Sequence, residues 1–111
     1  MSDNRRSSTR HVVDLAATLT VVAVPPSSTA ALTAGTVEEC RLVNLAVGGA
    51  YIQGRRLPMG MRVRIAFALP GYERIDAPAT VRWGDIGGSG LQFDGLRAKE
   101  TWALGKYIES L

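Results

Sequence analysis

Between Met61 and Leu69 the chain alternates with a period of two: Val63, Ile65, Phe67 and Leu69 share one face, Arg62 and Arg64 the other. That period belongs to a strand with one buried and one wet face, and a helix cannot produce it. The same pattern, less complete, runs from His11 to Val24, where Val13, Leu15, Ala17, Leu19 and Val21 oppose Asp14, Thr18 and Thr20. Further extended runs are expected at Thr36–Leu45, Ala50–Gln53, Ile75–Trp83 and Leu91–Phe93. Pro78 cannot donate to a ladder, so an edge or a bulge is expected there. Turn signals separate the runs: Pro25-Pro26-Ser27-Ser28-Thr29, Gly48-Gly49, Gly54 to Gly60, Pro70-Gly71 and Gly87-Gly88-Ser89-Gly90. After Leu96 the spacing becomes helical, with Thr101, Leu104, Ile108 and Leu111 on one stripe and Trp102 off it. Six short strands and then one helix, about residues 97–110, predict a mainly all-β chain: a six-stranded antiparallel β-barrel with a C-terminal α-helix.

At 111 residues, 46% of them hydrophobic, the chain has the length and composition of one globular domain. Residues 11–111 are assigned to the barrel and its helix, and residues 1–10 to a flexible, arginine-rich segment. No apolar run approaches the roughly 20 residues of a membrane span, and no apolar leader opens the chain. A lone cysteine, Cys40, rules out a disulfide within the chain and argues against a zinc cluster. A cytoplasmic protein without metal, cofactor or membrane insertion is expected.

The net charge is +3, and residues 1–10 carry +2 of it through Arg5, Arg6 and Arg10 against Asp3. A nucleic-acid binder spreads a basic stripe over a face. Three clustered arginines better suit a small ligand with two or three negative charges, although charge alone favours a solvated end. Catalytic signals are poor. His11 is the single histidine, and the carboxylates Glu38, Glu39, Glu73, Asp76, Asp85 and Asp94 show no acid–base or metal-ligand spacing. Neither glycine cluster has the Lys-Ser/Thr ending of a phosphate loop. Cys40, in an apolar strand, reads as a buried structural thiol. A binding module is therefore expected, not an enzyme.

Two stretches carry the binding chemistry: Arg5-Arg6-Ser7-Ser8-Thr9-Arg10 and Asn44-Leu45-Ala46-Val47-Gly48-Gly49. Guanidinium forks suit phosphates and the acceptor edge of guanine, and an Asn followed by glycines suits a tight, close-approach turn. Together they point to a small molecule bearing phosphate and guanine.

In this order the two stretches resemble the motifs of PilZ domains, R-R-x-x-x-R before the first strand and [D/N]-x-S-x-x-G after the second. Arg5, Arg6 and Arg10 match the first; Asn44 and Gly49 match the second, with Ala46 at the serine position. Val43 to Ile52, Leu57-Pro58-Met59-Gly60-Met61-Arg62-Val63 and Gly90-Leu91-Gln92-Phe93 extend the resemblance over nearly the whole chain. The resemblance implies a bacterial receptor for the second messenger cyclic di-GMP. Arg6 and Arg10 would then hold phosphate or the guanine O6/N7 edge, Arg5 would stack on a base or add a phosphate contact, and Asn44 would read a guanine. Gly49 would let the backbone approach the ligand, and Ala46 would lie against it without the usual hydroxyl. Binding would order the N-terminal segment and change the surface shown to a protein partner.

The substituted Ala46 leaves an alternative open, a PilZ-like adaptor that has lost its ligand and acts only through partners. A single-strand nucleic-acid barrel is a third reading, disfavoured by the few aromatics and evenly mixed charge of residues 11–111, so no DNA or RNA is expected. Trp83 reads either as a base-stacking platform or as barrel packing, Trp102 as a partner contact or an amphipathic cap, and Arg55-Arg56 as solvated.

Overall fold

The computed structural model describes residues 10–26, 32–54 and 56–111. Six strands, β1 (His11–Ala23), β2 (Val37–Ala46), β3 (Gly49–Gln53), β4 (Arg62–Ala68), β5 (Arg74–Asp85) and β6 (Gly88–Phe93), precede one helix, α1 (Ala98–Glu109). They form a closed antiparallel barrel in the order β1-β2-β3-β6-β5-β4, and β4 pairs back onto β1. The expected architecture is therefore present, strand for strand. Closure removes every sheet edge, the hazard that open antiparallel sheets must otherwise cover.

The alternating residues fill the barrel. Leu19, Val21, Val63, Ile65, Phe67 and Ile75 are each at most 2% exposed. Leu57, from the loop before β4, adds a buried plug, its backbone N–H donating to the Ser89 Oγ at 2.8 Å. The turn Leu69-Pro70-Gly71-Tyr72 is closed by the Tyr72 N–H on the Leu69 carbonyl at 2.8 Å. Gly71 takes a φ of 86° there, which a Pro-Gly turn requires and a side chain would resist.

The edge expected at Pro78 is present: it pairs with Arg64 of β4 on one side, but β6 pairs with β5 only from Ala79 onward, so the side on which its missing N–H would point is a local edge, where its carbonyl accepts from Asp94 just past the end of β6. Two local expectations are corrected. The run Gly88-Ser89-Gly90 is not a turn but the first half of β6. A Cβ at Gly88 would overlap the Ile52 carbonyl of β3, and one at Gly90 would overlap the Trp83 indole, so both glycines answer to close neighbours. The buried face of α1 is Glu100, Ala103, Leu104 and Tyr107, while Thr101 and Leu111 of the expected stripe are exposed. Glu100 makes this rotation possible. Its carboxylate accepts from the Asp76 N–H of β5 at 3.0 Å, from the Arg97 N–H at 2.9 Å and from the Arg97 guanidinium at 3.0 Å. Burial alone would raise its pKa; the three hydrogen bonds outweigh that and hold it at about 2.

Candidate functional site

A groove of about 610 Å³ runs across the outer face of β2, β3, β6 and β5, reached at one side by Arg10. Asn44, Ala46, Tyr51, Arg82, Trp83 and Gln92 contribute to its lining, together with Gly48 and Gly49. The sequence-derived candidates Arg10, Asn44, Ala46 and Gly49 thus meet in one place. Arg5 and Arg6 lie outside the described residues, as does the rest of the expected flexible segment before Arg10.

Two bulges build this face. In β2, Leu42 pairs with Ile52 and Asn44 with Tyr51, so Val43 is an extra residue. Strict alternation would place Leu42 and Leu45 on opposite faces, yet both are fully buried. The bulge reverses the parity and sends Asn44 and Ala46 to the outside. In β5, Val81 pairs with Leu91 and Trp83 with Gly90, so Arg82 is the extra residue. Val81 is buried, and both Arg82 and Trp83 are then exposed. Bulges re-aim side chains in this way, and they concentrate near binding sites. Asn44, Tyr51, Gly90 and Trp83 are successive partners across the four strands.

Along that row the aromatic groups form a platform. Tyr51 and Trp83 stack with ring centroids 5.3 Å apart and planes 23° from parallel. Gly90 leaves the space that the indole fills. The Arg10 guanidinium lies 5.6 Å from the Trp83 ring centroid, in cation–π range. The Tyr51 hydroxyl donates to the Asp85 Oδ1 at 2.7 Å, and the same oxygen accepts the Gly87 and Gly88 N–H groups at 2.9 and 3.0 Å. The bond to Tyr51, with the two backbone donors, holds the Asp85 carboxyl below its ordinary pKa, and the bond to Asp85 raises that of Tyr51. Trp83 is 37% exposed, so it is not consumed by core packing.

The electrostatics favour an anion. Among the described residues no carboxylate lines the groove. Elsewhere Arg41 pairs with Asp14, Arg64 with Asp76 and Arg97 with Glu100. Among the described residues, neither Arg10 nor Arg82 forms an ion pair. Gly49 has a role that the sequence reading did not see: a Cβ there would overlap the Leu91 carbonyl of β6, so the barrel wall itself requires the glycine. Arg82, Tyr51 and Gln92 were missed altogether. Their signal is the pairing of β5 and β6 with β3, which no single segment displays.

The other singled-out residues do not line the groove. Cys40 is half-buried; desolvation, aided by Glu39 and Glu38, pushes its thiol up to about 11. Trp102 is 60% exposed and meets Tyr72 edge-on at 6.2 Å. Arg56 is exposed, and Arg55 lies outside the described residues. Among the described residues no cluster of His, Cys, Asp and Glu could hold a metal ion, and no helix is long and apolar enough to cross a membrane.

The PilZ domain family matches the sequence over residues 4–110. No curated protein matches it. Among solved structures, the Bacillus subtilis inhibitor of motility, MotI/DgrA, shares the fold with a TM-score of 0.68 at 19% identity. The alignment covers 96% of this chain and 51% of that protein, so the chain spans about half the length of that relative.

Proposed function

The chain belongs to the PilZ domain family, and on that premise we propose that it is a bacterial, cytoplasmic receptor for cyclic di-GMP that passes the signal to a protein partner and catalyses nothing. The observation that carries this reading is the groove, where Arg10, Asn44, Ala46 and Gly49 of the two motifs line one cavity with Trp83 and Arg82 and, among the described residues, no carboxylate. Cyclic di-GMP has two phosphates and two guanines. Guanidinium groups meet the phosphates and the O6/N7 edges, the Asn44 amide meets a guanine edge, and the Trp83 face stacks a base. Arg6 is four residues before Arg10, so an extended chain places its backbone within about 14 Å of Arg10, comparable to the span of the groove. Ligand would draw Arg5 and Arg6 onto itself, ordering the N-terminal segment and changing the surface offered to the partner.

Calorimetric titration of the purified chain with cyclic di-GMP tests the proposal. Binding that Arg10→Ala and Asn44→Ala each weaken about tenfold or more supports it, since each removes hydrogen bonds in which one partner is charged or base-specific. No heat of binding at about 100 μM ligand, a Kd far weaker than a messenger receptor needs, overturns it. The reading then left is the ligand-free adaptor, which Ala46 favours; binding gained by Ala46→Ser from a silent wild type would establish it.

A further inference from the structure

The two motifs account for the β2 side of the groove and for the N-terminal segment. On the β5 side, three strand spacings from β2 or about 14 Å across the sheet, they supply only Arg10, whose guanidinium lies over Trp83, and no residue of β5 itself. A ligand that fills the groove must be met at that far wall too. Arg82 stands there.

Three observations single it out. It is the extra residue of the β5 bulge, placed outward beside Trp83 where regular alternation would send only one of the two outward. It lines the groove, in which no carboxylate among the described residues is present to neutralise it. Among the described residues it has no ion-pair partner, whereas Arg64 on the neighbouring β4 is held by Asp76 at 2.9 Å. An exposed guanidinium beside an aromatic platform, lacking a counter-charge among the described residues, is matched by an anion delivered with the ligand.

We propose that Arg82 is a ligand-binding residue of this groove, its guanidinium closing on a phosphate of the bound dinucleotide from the wall opposite Asn44. The inference rests on the cyclic di-GMP reading and deepens it. Arg82 lies in neither motif, and its contact gives the β5 wall the anion recognition that Arg5, Arg6 and Arg10 provide from the N-terminal side.

Calorimetric titration of cyclic di-GMP into wild type, Arg82→Ala, Arg82→Lys and Arg62→Ala separates the outcomes. Arg62 is an exposed arginine of β4 outside the groove, so its variant reports bulk charge alone. The expected result is a loss on the order of 10–100-fold for Arg82→Ala, partial recovery with Arg82→Lys, and less than a twofold change for Arg62→Ala. Unliganded melting temperatures should be equal across the set, because Arg82 is exposed and supports no neighbour. Affinity of Arg82→Ala within twofold of wild type overturns the assignment and leaves the receptor reading standing. Equal losses in Arg82→Ala and Arg62→Ala also overturn it, in favour of general charge. A wild type that binds nothing overturns the receptor reading and Arg82's role together.

Discussion

Two residues show how little chemistry separates one outcome from another. Ala46 is 7% exposed and lies in the groove between Asn44 and Gly49. A serine hydroxyl at that position would add one neutral hydrogen bond to the ligand, about 0.5–1.5 kcal/mol. Ala46→Ser should therefore tighten cyclic di-GMP binding roughly threefold to tenfold, read as a fall in Kd by calorimetry. Glu100 acts on stability instead. Its carboxyl titrates at about 2 in the folded chain against an ordinary 4.5. A depressed folded value means the stabilisation is complete above the unfolded pKa and disappears as pH falls from 4.5 towards 2. Denaturant unfolding at pH 7 and pH 3 should show the wild type losing more stability than Glu100→Gln, which cannot titrate. Glu100→Ala should cost about 2–3 kcal/mol at pH 7, because it leaves the part-buried Asp76 and Arg97 N–H groups without their acceptor.

Secondary-structure elements reveal both what period-two alternation can show and where it stops. Val63, Ile65 and Phe67 announce β4 because that strand pairs without interruption on both sides of its central stretch. Alternation is blind to a bulge, since an extra residue is recognised only against the partner strand. This is why Asn44 was legible from its motif while Arg82 was not legible at all, and why Trp83 stayed ambiguous between packing and stacking. Glu100 was missed for a different reason: a charged residue is assigned to the wet face unless its acceptors are known to be filled, and Asp76 is 24 positions away. The glycines make the same point. Gly48 and Gly49 are adjacent in one motif, yet a Cβ at Gly48 meets nothing within 4 Å, whereas one at Gly49 overlaps the Leu91 carbonyl. Thermal unfolding of the two alanine variants should separate them: Gly48→Ala within about 0.5 kcal/mol of wild type, and Gly49→Ala destabilised by about 1–3 kcal/mol through forced separation of β3 from β6.

At the scale of the whole molecule, the proposed reading makes the closed barrel the wall of the site and the entering chain the part that responds to ligand. Arg10 immediately precedes β1, so a ligand held at Arg10 and Asn44 bridges the entry of the chain and the β2–β3 hairpin, while Trp83 and Arg82 extend the bridge to β5. Every one of these groups is in place only in the folded barrel, because the row Asn44, Tyr51, Gly90, Trp83 exists only through strand pairing. Under the proposed reading ligand would bind the native state and not the unfolded chain, and mass action would convert affinity into stability. At a free ligand concentration of 100 times Kd the gain is about 2.7 kcal/mol. For a domain of this size that raises the melting temperature by about 10 °C. Differential scanning calorimetry with cyclic di-GMP should show that rise for the wild type, less for Arg10→Ala at the same ligand concentration, and the full rise again for Arg10→Ala once ligand is increased in proportion to its weaker Kd. Recovery at high ligand would prove that the substitution changed affinity and left the barrel intact. A melting temperature that ignores ligand at every concentration would place this chain among adaptors that keep the groove and have given up the messenger.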